Sequence, residues 1–392
     1  MHRSDDFQIA IIGGGIAGFS AAAELSEFER VIVLERESQP AYHSTGRSAA
    51  ILAQTYGNDV VRALTRASDD FLNSPPDGFA ERPLLTCRGL VRIARADQAD
   101  ALREMFETLE NTGYLRWIDG DEIERRVPLI RPGYAAAGFL NSDARDIDVH
   151  AMMQGYARRI RANGGEILTK TDVTAMQFYA GEWRIEAGAQ VIHARQVVNA
   201  AGSWADDLAR LAGITPIGLT PLRRSAVTFD PPPDVDITNM PMVVDADEAF
   251  YLKPEAGKLL ASPANETPSL PTDSQPDEME VAHAVDRVTT AFQLDVRRIV
   301  AKWAGLRTFL PDRTPICGYD ADAPGFFWLA GQGGFGIQTA PALARLTAHL
   351  MADAPMHPLL QSSGLDISAL SPQRFLTRDA GQSDKIPTRR DS

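Results

Sequence analysis

A glycine-rich turn near the start of the chain constrains the fold more than any other feature. The short apolar run at residues 7–12 leads directly into the pattern G-x-G-x-x-G at residues 13–18, and an Ala-rich segment over 16–27 is a predicted helix. Residues 31–34 then predict a second buried strand. In such a strand–helix–strand unit the glycines let a pyrophosphate reach the helix N-terminus. The pattern therefore predicts an α/β fold with a Rossmann-type dinucleotide-binding domain.

An acidic residue at the end of the second predicted strand narrows the choice of dinucleotide. Glu35 lies 20 residues beyond Gly15, at a spacing typical of a carboxylate that accepts hydrogen bonds from ribose hydroxyls. A carboxylate at this position disfavours a 2′-phosphate. NADP is therefore not expected, whereas NAD and FAD both fit the motif.

Two further segments favour FAD over NAD. A second glycine-rich turn at residues 331–336 follows the apolar run 326–330 and precedes a helix predicted over 341–351. Amides at a helix N-terminus stabilise negative charge on a reduced flavin ring. Residues 43–50, which carry several hydroxyls and Arg47, suit the pyrophosphate and the ring edge, although a polar turn that caps the next helix explains them as well. We therefore predict FAD as the cofactor.

The residues expected to contact FAD lie on these segments and at other strand ends. They are Gly13, Gly15, Ile16, Ala17, Gly18, Glu35, Arg36, Ser44, Thr45, Arg47, Ser48, Ala49, Ala50, Val173, Ala201, Gly202, Trp204, Gly331, Gly333, Gly334, Phe335, Gly336, Ile337 and Gln338. Gln338 is also a candidate for contact with the substrate.

Composition argues against several other classes of protein. The formal net charge of −13 argues against a nucleic-acid partner, because phosphate binding needs clustered Lys and Arg. The two cysteines, Cys87 and Cys317, are too few for a disulfide framework or a Cys-rich metal site, and no metal is expected. The sequence shows neither a run of about 18 apolar residues nor a signal-peptide core. We therefore expect a cytoplasmic protein without a transmembrane segment, and peripheral attachment to a membrane stays open.

The alternation of patterns along the chain predicts a Rossmann-type domain interleaved with an α+β substrate domain that has an antiparallel sheet. The expected segments are 7–85, 145–220 and 312–370 for the FAD-binding domain and 86–144 and 221–311 for the substrate domain. The tail at 371–392 is polar and carries few large apolar residues, so we expect it to be mobile.

Five segments give the chain a resemblance to the D-amino-acid oxidase superfamily of flavoproteins, over nearly its whole length. Within that superfamily the chain resembles the FAD-dependent D-arginine dehydrogenases most. The segments are PAYHSTGRSAA at 40–50, PLRRSA at 221–226, FYLKP at 250–254, WAGLR at 303–307 and GGFGIQT at 333–339. The first occurs throughout the superfamily, and the later ones are more specific. The resemblance implies a flavin domain and a substrate domain whose sheet covers the flavin ring.

The resemblance also implies oxidation of an amine beside a carboxylate: hydride passes from Cα to flavin N5, and the imino acid hydrolyses to a 2-oxo acid and ammonia. Arg307 and Arg224 are expected to bind the carboxylate, since a planar guanidinium holds it by two parallel hydrogen bonds. Tyr251 and Tyr56 are expected to close over the substrate and exclude water, although each is alternatively a core tyrosine. Gln338, or a nearby backbone carbonyl, is a candidate for the amino group. No side chain is required as a base.

Two positions depart from the D-arginine dehydrogenase pattern, which has an acid near Leu90 and a histidine where this chain has Ile51. If these two residues line the side-chain pocket, the guanidinium of D-arginine would lose its water there without gaining an ion-pair partner. We therefore predict a preference for neutral, hydrophobic D-amino acids over D-arginine, unless Glu81 or Asp245 supplies the missing acid. The expected substrate pocket is formed by Ile51, Leu90, Met242, Val244 and Gln338.

Several alternatives stay open on the sequence alone. Within the superfamily, the substrate is alternatively glycine, sarcosine or another N-substituted amino acid. An NAD-dependent dehydrogenase and a non-catalytic flavin-bound subunit are further alternatives. The electron acceptor is unknown (oxygen, a quinone or a carrier), and the resemblance favours a dehydrogenase. Some superfamily members tether flavin through a cysteine, but Arg307 occupies that position here and Cys317 lies downstream, so we predict non-covalent FAD.

Overall fold

The structure is a computed structural model that describes residues 6–109 and 113–376. These residues form twenty β-strands and ten α-helices. The strands are β1 (Asp6–Ile12), β2 (Val31–Leu34), β3 (Ile51–Leu52), β4 (Leu85–Cys87), β5 (Leu90–Ala94), β6 (Leu115–Asp119), β7 (Ala137–Asn141), β8 (Arg145–Ile147), β9 (Glu166–Leu168), β10 (Val173–Tyr179), β11 (Glu182–Ala187), β12 (Gln190–Asn199), β13 (Thr220–Phe229), β14 (Met242–Asp245), β15 (Tyr251–Glu255), β16 (Lys258–Ser262), β17 (Thr267–Pro268), β18 (Ala301–Phe309), β19 (Ile316–Tyr319) and β20 (Phe326–Ala330). The helices are α1 (Ile16–Leu25), α2 (Asp59–Asn73), α3 (Ala99–Leu109), α4 (Gly120–Arg126), α5 (Val149–Ala162), α6 (Ala205–Leu211), α7 (Glu278–Ala291), α8 (Gly336–Ala352), α9 (Pro358–Ser362) and α10 (Gln373–Leu376).

The first sheet is built around parallel strands in the order β9-β2-β1-β12-β20. Strand β19 extends it antiparallel beside β20, and the hairpin of β10 and β11 pairs with the first half of β12. Every residue of β2 and β20 is buried, as their unbroken apolar runs predict for strands covered on both faces. Helices α1, α5 and α8 contribute to the core on one face, and α6 to the core on the other. The predicted Rossmann-type fold is confirmed.

The second sheet has the order β18-β13-β16-β15-β14-β5-β7-β6, with β17 beside the start of β13. Its pairs are antiparallel except that of β5 with β14. One face packs on α4 and α7 around a separate apolar core. Because side chains alternate along each strand, the other face carries the residues that lie outside that core. They include Leu90, Arg92, Met242, Val244 and Tyr251. This second face is turned towards the first sheet.

The two large sheets draw their strands from alternating parts of the chain. The first takes strands from 6–34, 166–199 and 316–330, and the second from 90–141 and 220–309. A small sheet of β3, β8 and β4 is the third. This is the interleaving expected from the sequence, and the domain boundaries themselves stay a prediction.

The start of the predicted mobile tail is folded. Helix α10 lies at Gln373–Leu376, and the Arg374 guanidinium donates to the Asp312 carboxylate at 2.9 Å and to the Thr314 carbonyl at 2.7 Å. Residues 371–376 therefore have folded partners, and the mobility of the tail stays a prediction. The remaining tail, 377–392, lies outside the described residues. No helix in the described ranges is long and apolar enough to cross a membrane.

Candidate active site

A cavity of about 1050 Å³ lies between the two sheets. All nine residues predicted for catalysis or for the substrate pocket line it: Arg307, Arg224, Tyr251, Tyr56, Ile51, Leu90, Met242, Val244 and Gln338. Of the predicted cofactor residues, its lining also contains Gly15, Ile16, Ala17, Ser44, Thr45, Arg47, Ser48, Ala49, Ala50, Gly202, Gly331, Gly333, Gly334, Phe335, Gly336 and Ile337. The predicted cofactor residues outside that lining are Gly13, Gly18, Glu35, Arg36, Val173, Ala201 and Trp204. Both glycine-rich turns and the proposed substrate side chains therefore share one space.

The first glycine-rich turn is held tightly against its own helix. A Cβ on Gly18 would lie 1.9 Å from the Gly13 carbonyl oxygen, so α1 can pack here only with glycine. The Ile16 amide at the start of α1 donates to Thr45 Oγ1 at 3.0 Å. This contact joins the turn to the predicted pyrophosphate segment, as the dinucleotide interpretation requires.

Glu35 directly follows β2, and its buried carboxylate contacts the first glycine-rich turn. It accepts hydrogen bonds from the Gly14 amide at 2.8 Å and the Glu37 amide at 2.7 Å. The Arg36 guanidinium stacks 3.8 Å from the centroid of the Trp204 ring. A buried acid beside a helix N-terminus suits the ribose of a dinucleotide. The stack of Arg36 on Trp204 lies beside this acid and offers a surface for the adenine.

The second glycine-rich turn is shaped around neighbouring side chains of β18. Gly333 has φ +54°, and a Cβ there would lie 2.0 Å from the Phe309 ring. Between the glycines, Gln332 keeps a buried Nε2 that has no hydrogen-bond partner among the described residues. Gln332 belongs to the cavity lining, at the turn that opens α8. The turn therefore fits a flavin, which offers acceptors along one ring edge.

Arg47 differs from its expected role at the pyrophosphate or the ring edge. Its Nη1 donates to the carbonyls of Ala304 and Ser274, both at 2.9 Å, and its Nη2 donates to Asp273 at 2.5 Å. These partners lie within 221–311, which is predicted to belong to the substrate domain. In the structure the Arg47 guanidinium therefore links the segment after β2 to that part of the chain, and the side chain also borders the cavity.

Arg307 presents a largely unsatisfied guanidinium to the cavity. Nη2 donates to the Tyr56 hydroxyl at 2.6 Å, which is the one hydrogen bond that the Arg307 side chain makes within the described residues. Burial alone would lower the pKa of Arg307, but the nearby phenols of Tyr56 and Tyr251 outweigh it, and the pKa lies above its ordinary value. The group therefore stays cationic, with N–H donors left for an anion.

Gly334 makes room for that guanidinium. A Cβ at Gly334 would lie 1.7 Å from Nη2 and 2.2 Å from Cζ of Arg307. The guanidinium thus packs directly against the backbone of the second glycine-rich turn. This contact places the predicted carboxylate-binding group directly beside the predicted flavin site.

Arg224 is a second cation in the same cavity. Its Nε donates to the Asn265 carbonyl at 2.7 Å, and its Nη2 donates to Glu266 at 3.3 Å. Burial lowers the pKa of Arg224, and the like charge of Arg307 lowers it further. Two neighbouring guanidinium groups that repel each other are stabilised by an anion bound between them. A substrate carboxylate meets this requirement.

Gln338 differs from its expected role at the amino group. Its Oε1 accepts from the Ala53 amide at 3.2 Å, and its Nε2 donates to Thr65 Oγ1 at 2.9 Å. The side chain is 2% exposed. Its amide therefore joins α8 to α2 and to the segment after β3, and both of its ends already have partners.

The acids proposed from the sequence lie elsewhere. Asp245 is buried and accepts hydrogen bonds from the amides of Asp247 and Ala249, and Glu81 is exposed outside the cavity lining. The acids that line the cavity are instead Asp247, Glu248, Glu266 and Asp312, none of which was predicted from the sequence. Arg92 was missed as well, although it follows Leu90 by two residues on β5 and so shares its face.

Cys317 is placed to stay unreactive. Burial raises the pKa of its thiol to about 12, and the described lining of the cavity contains neither cysteine. We expect acid precipitation of the protein to release all bound flavin into the supernatant, and a thiol-alkylating reagent at pH 8 to label exposed Cys87 but not Cys317. A flavin that remains with the precipitate would contradict this expectation.

Comparisons with known proteins show which proteins this chain is similar to. A family model described as "FAD dependent oxidoreductase" (DAO) matches residues 8–350. Hydrogen cyanide synthase subunit HcnC of Pseudomonas aeruginosa is 26% identical over 272 residues, which cover 67% of this chain and 60% of that protein. Glycine oxidase of Bacillus licheniformis is 20% identical over 358 residues, covering 89% of this chain and 94% of that protein.

Solved structures show the same fold. Glycine oxidase from Geobacillus kaustophilus superposes with a TM-score of 0.82 at 20% identity, covering 96% of this chain and 100% of that one. These matches do not single out the D-arginine dehydrogenases. The family match covers most of the chain, and the chain therefore belongs to the DAO family of FAD-dependent oxidoreductases.

Proposed function

We propose that this enzyme oxidises D-amino acids to imino acids, which water converts to 2-oxo acids and ammonia. The observation that carries the proposal is the Arg307 guanidinium, which packs against Gly334 of the second glycine-rich turn. Among the described residues its one hydrogen-bond partner is the Tyr56 hydroxyl. A cation fixed at that place recognises a carboxylate next to the reacting carbon. FAD, when bound, accepts the hydride from that carbon at N5.

The chain's own residues bind and orient the substrate. Arg307 and Arg224 hold the carboxylate, which fixes the direction of the Cα–H bond and supplies much of the lowering of the barrier. Tyr56 and Tyr251 border the same space and exclude water from it. The amine loses its proton to water, so the reaction needs no dedicated base.

The walls around the side chain support a neutral substrate. Ile51, Leu90, Met242 and Val244 are apolar, and each buried methylene contributes about 0.8 kcal/mol. We propose that hydrophobic D-amino acids are preferred over D-arginine, although the chain resembles D-arginine dehydrogenases. The family resemblance favours a dehydrogenase over an oxidase, and we propose a cytoplasmic location, with peripheral attachment to a membrane left open. The electron acceptor is unassigned.

A second candidate is oxidation of glycine, sarcosine or another N-substituted amino acid. The similarity to glycine oxidases over most of both chains favours it. Anaerobic mixing with D-, L- and N-methyl-amino acids separates the two, because the true substrate bleaches the flavin absorbance near 450 nm. Faster bleaching by sarcosine or glycine than by D-leucine or D-phenylalanine would favour the second candidate.

Gln332 is proposed as a donor to the flavin. We expect Gln332→Leu to weaken FAD binding by the deflavinated protein about tenfold, since it removes a buried donor without another partner. Titration of FAD fluorescence measures this change without any turnover. In the control, Gln338→Leu breaks bonds within the protein and should lower thermal stability more than FAD affinity. Unchanged FAD affinity in Gln332→Leu would contradict the assignment.

A further inference from the structure

An ion pair lies on the side of the cavity bounded by β5 and α3. Arg92 Nη2 donates to Glu248 Oε1 at 2.9 Å, and Arg92 Nη1 donates to the Ala246 carbonyl at 3.2 Å. Both members of the pair line the cavity, together with Met105 and Leu109 of α3. The carboxylate-binding groups do not use this pair, so its function is unassigned.

The register of the sheet gives the distance of Arg92 from Tyr251, which borders the same cavity. Arg92 lies opposite Val244, and Val244 lies opposite Tyr251. These residues therefore form one row across three neighbouring strands, and two strand spacings amount to about 10 Å. Leu90 and Met242 form the adjacent row. The side chain of a substrate that extends from Tyr251 along these apolar walls therefore reaches towards Arg92.

The turn that carries Glu248 is fixed in place. Glu248 has φ +55°, a left-handed conformation that a side chain of this size adopts only when its surroundings hold it. The buried Asp245 carboxylate accepts the amides of Asp247 and Ala249 on either side of it. Arg287 donates to the Ala249 carbonyl. The carboxylate of Glu248 is thus held at Arg92.

The pair is charged but carries no net charge. Burial raises the pKa of Glu248, but Arg92, and then Arg224 and Arg307, outweigh burial and bring the pKa below its ordinary value. The Arg92 side chain is 12% exposed and that of Glu248 is 48% exposed. The second oxygen of Glu248, Oε2, accepts no hydrogen bond from the described part of the chain.

We propose that the Arg92–Glu248 pair sets the charge selectivity of the site, admitting neutral side chains and rejecting both cationic and anionic ones. This inference rests on the proposed function. A cationic substrate side chain is repelled by Arg92, and Glu248 does not attract it because Arg92 already neutralises that carboxylate. An anionic substrate side chain is repelled by Glu248, and Arg92 does not attract it because its charge is already paired. A neutral side chain avoids both penalties, and a polar end can donate to Glu248 Oε2.

Neutralising one member at a time tests the proposal with isosteric substrates. In Glu248→Gln the charge of Arg92 is uncompensated, and we expect the kcat/KM ratio of D-glutamate to D-glutamine to rise roughly tenfold. In Arg92→Gln the charge of Glu248 is uncompensated, and the ratio of D-ornithine to D-norleucine should rise by a similar factor. The double variant should return both ratios to near their original values.

Each ratio compares two substrates on one preparation, so partial unfolding of a variant does not imitate the result. Glu122→Gln breaks an exposed ion pair with Arg116 in the same domain and should change neither ratio. Unchanged ratios in both single variants, with the original enzyme still active, would overturn this inference alone. An original enzyme that oxidises none of the four substrates would overturn the proposed function and this inference with it.

Discussion

Arg307→Ala is expected to lower kcat/KM for the preferred amino acid by a hundredfold to a thousandfold. Truncating one side of a buried, charge-assisted pair costs about 3–4 kcal/mol, and each 1.4 kcal/mol is about a factor of ten. The Arg307 guanidinium has one hydrogen-bond partner within the described chain, so its remaining donors are available for the substrate carboxylate. Steady-state kinetics and anaerobic flavin reduction both measure the loss.

Two comparisons separate loss of carboxylate binding from general damage. Arg307→Lys keeps the charge but not the planar fork, and it should recover only part of the activity. A primary amine that lacks the carboxylate should be oxidised equally slowly by the original enzyme and by Arg307→Ala. Equal losses for the amino acid and the amine would show that Arg307 acts on the fold or the flavin instead.

The features that the sequence predicted well are local ones. Strands β1 and β2 and the turn between Gly13 and Gly18 follow from unbroken apolar runs and from a glycine spacing that only a close helix–strand contact requires. The second glycine-rich turn was found in the same way. The helix after it begins at Gly336 and not at Pro341, because α8 accommodates this proline within its second turn.

The contacts that the sequence did not predict involve side chains whose partners are distant in the chain. Arg47 bonds to residues more than 220 positions away, and Gln338 bonds to Ala53 and Thr65, more than 270 positions away. A local pattern shows the donor and acceptor groups of such a residue but not which of them are already occupied. Glu248 was missed for a related reason, since its role depends on the pairing of β14 with β5. Arg307 was found because its segment resembles the family.

Gly334→Ala is expected to damage the same site without removing any functional group. The new Cβ would lie 1.7 Å from Arg307 Nη2, so the guanidinium or the glycine-rich turn must move. Overpacking of this kind costs about 1–3 kcal/mol of stability. A displacement of about 1 Å at a reacting centre lowers activity roughly a hundredfold. Thermal unfolding and kcat/KM should therefore both fall.

Gly257 supplies the matched control for this substitution. It lies in the turn between β15 and β16 with φ +76°, and a Cβ there would meet no atom of the described residues within 4 Å. Gly257→Ala should cost about 1 kcal/mol of stability through its backbone conformation. It should leave kcat/KM unchanged. The pair of variants therefore separates the cost of backbone strain at alanine from the cost of displacing Arg307.

A double-mutant cycle identifies the atoms responsible. If the guanidinium is the group that clashes, Gly334→Ala should be tolerated in the Arg307→Ala background, because the truncated side chain leaves the space open. The two substitutions should then be non-additive in stability by about 1–3 kcal/mol. Thermal unfolding of the four proteins, each saturated with FAD, measures this coupling. An alanine at position 334 that destabilises the protein equally with and without the guanidinium would show that the turn itself, and not its contact with Arg307, requires glycine.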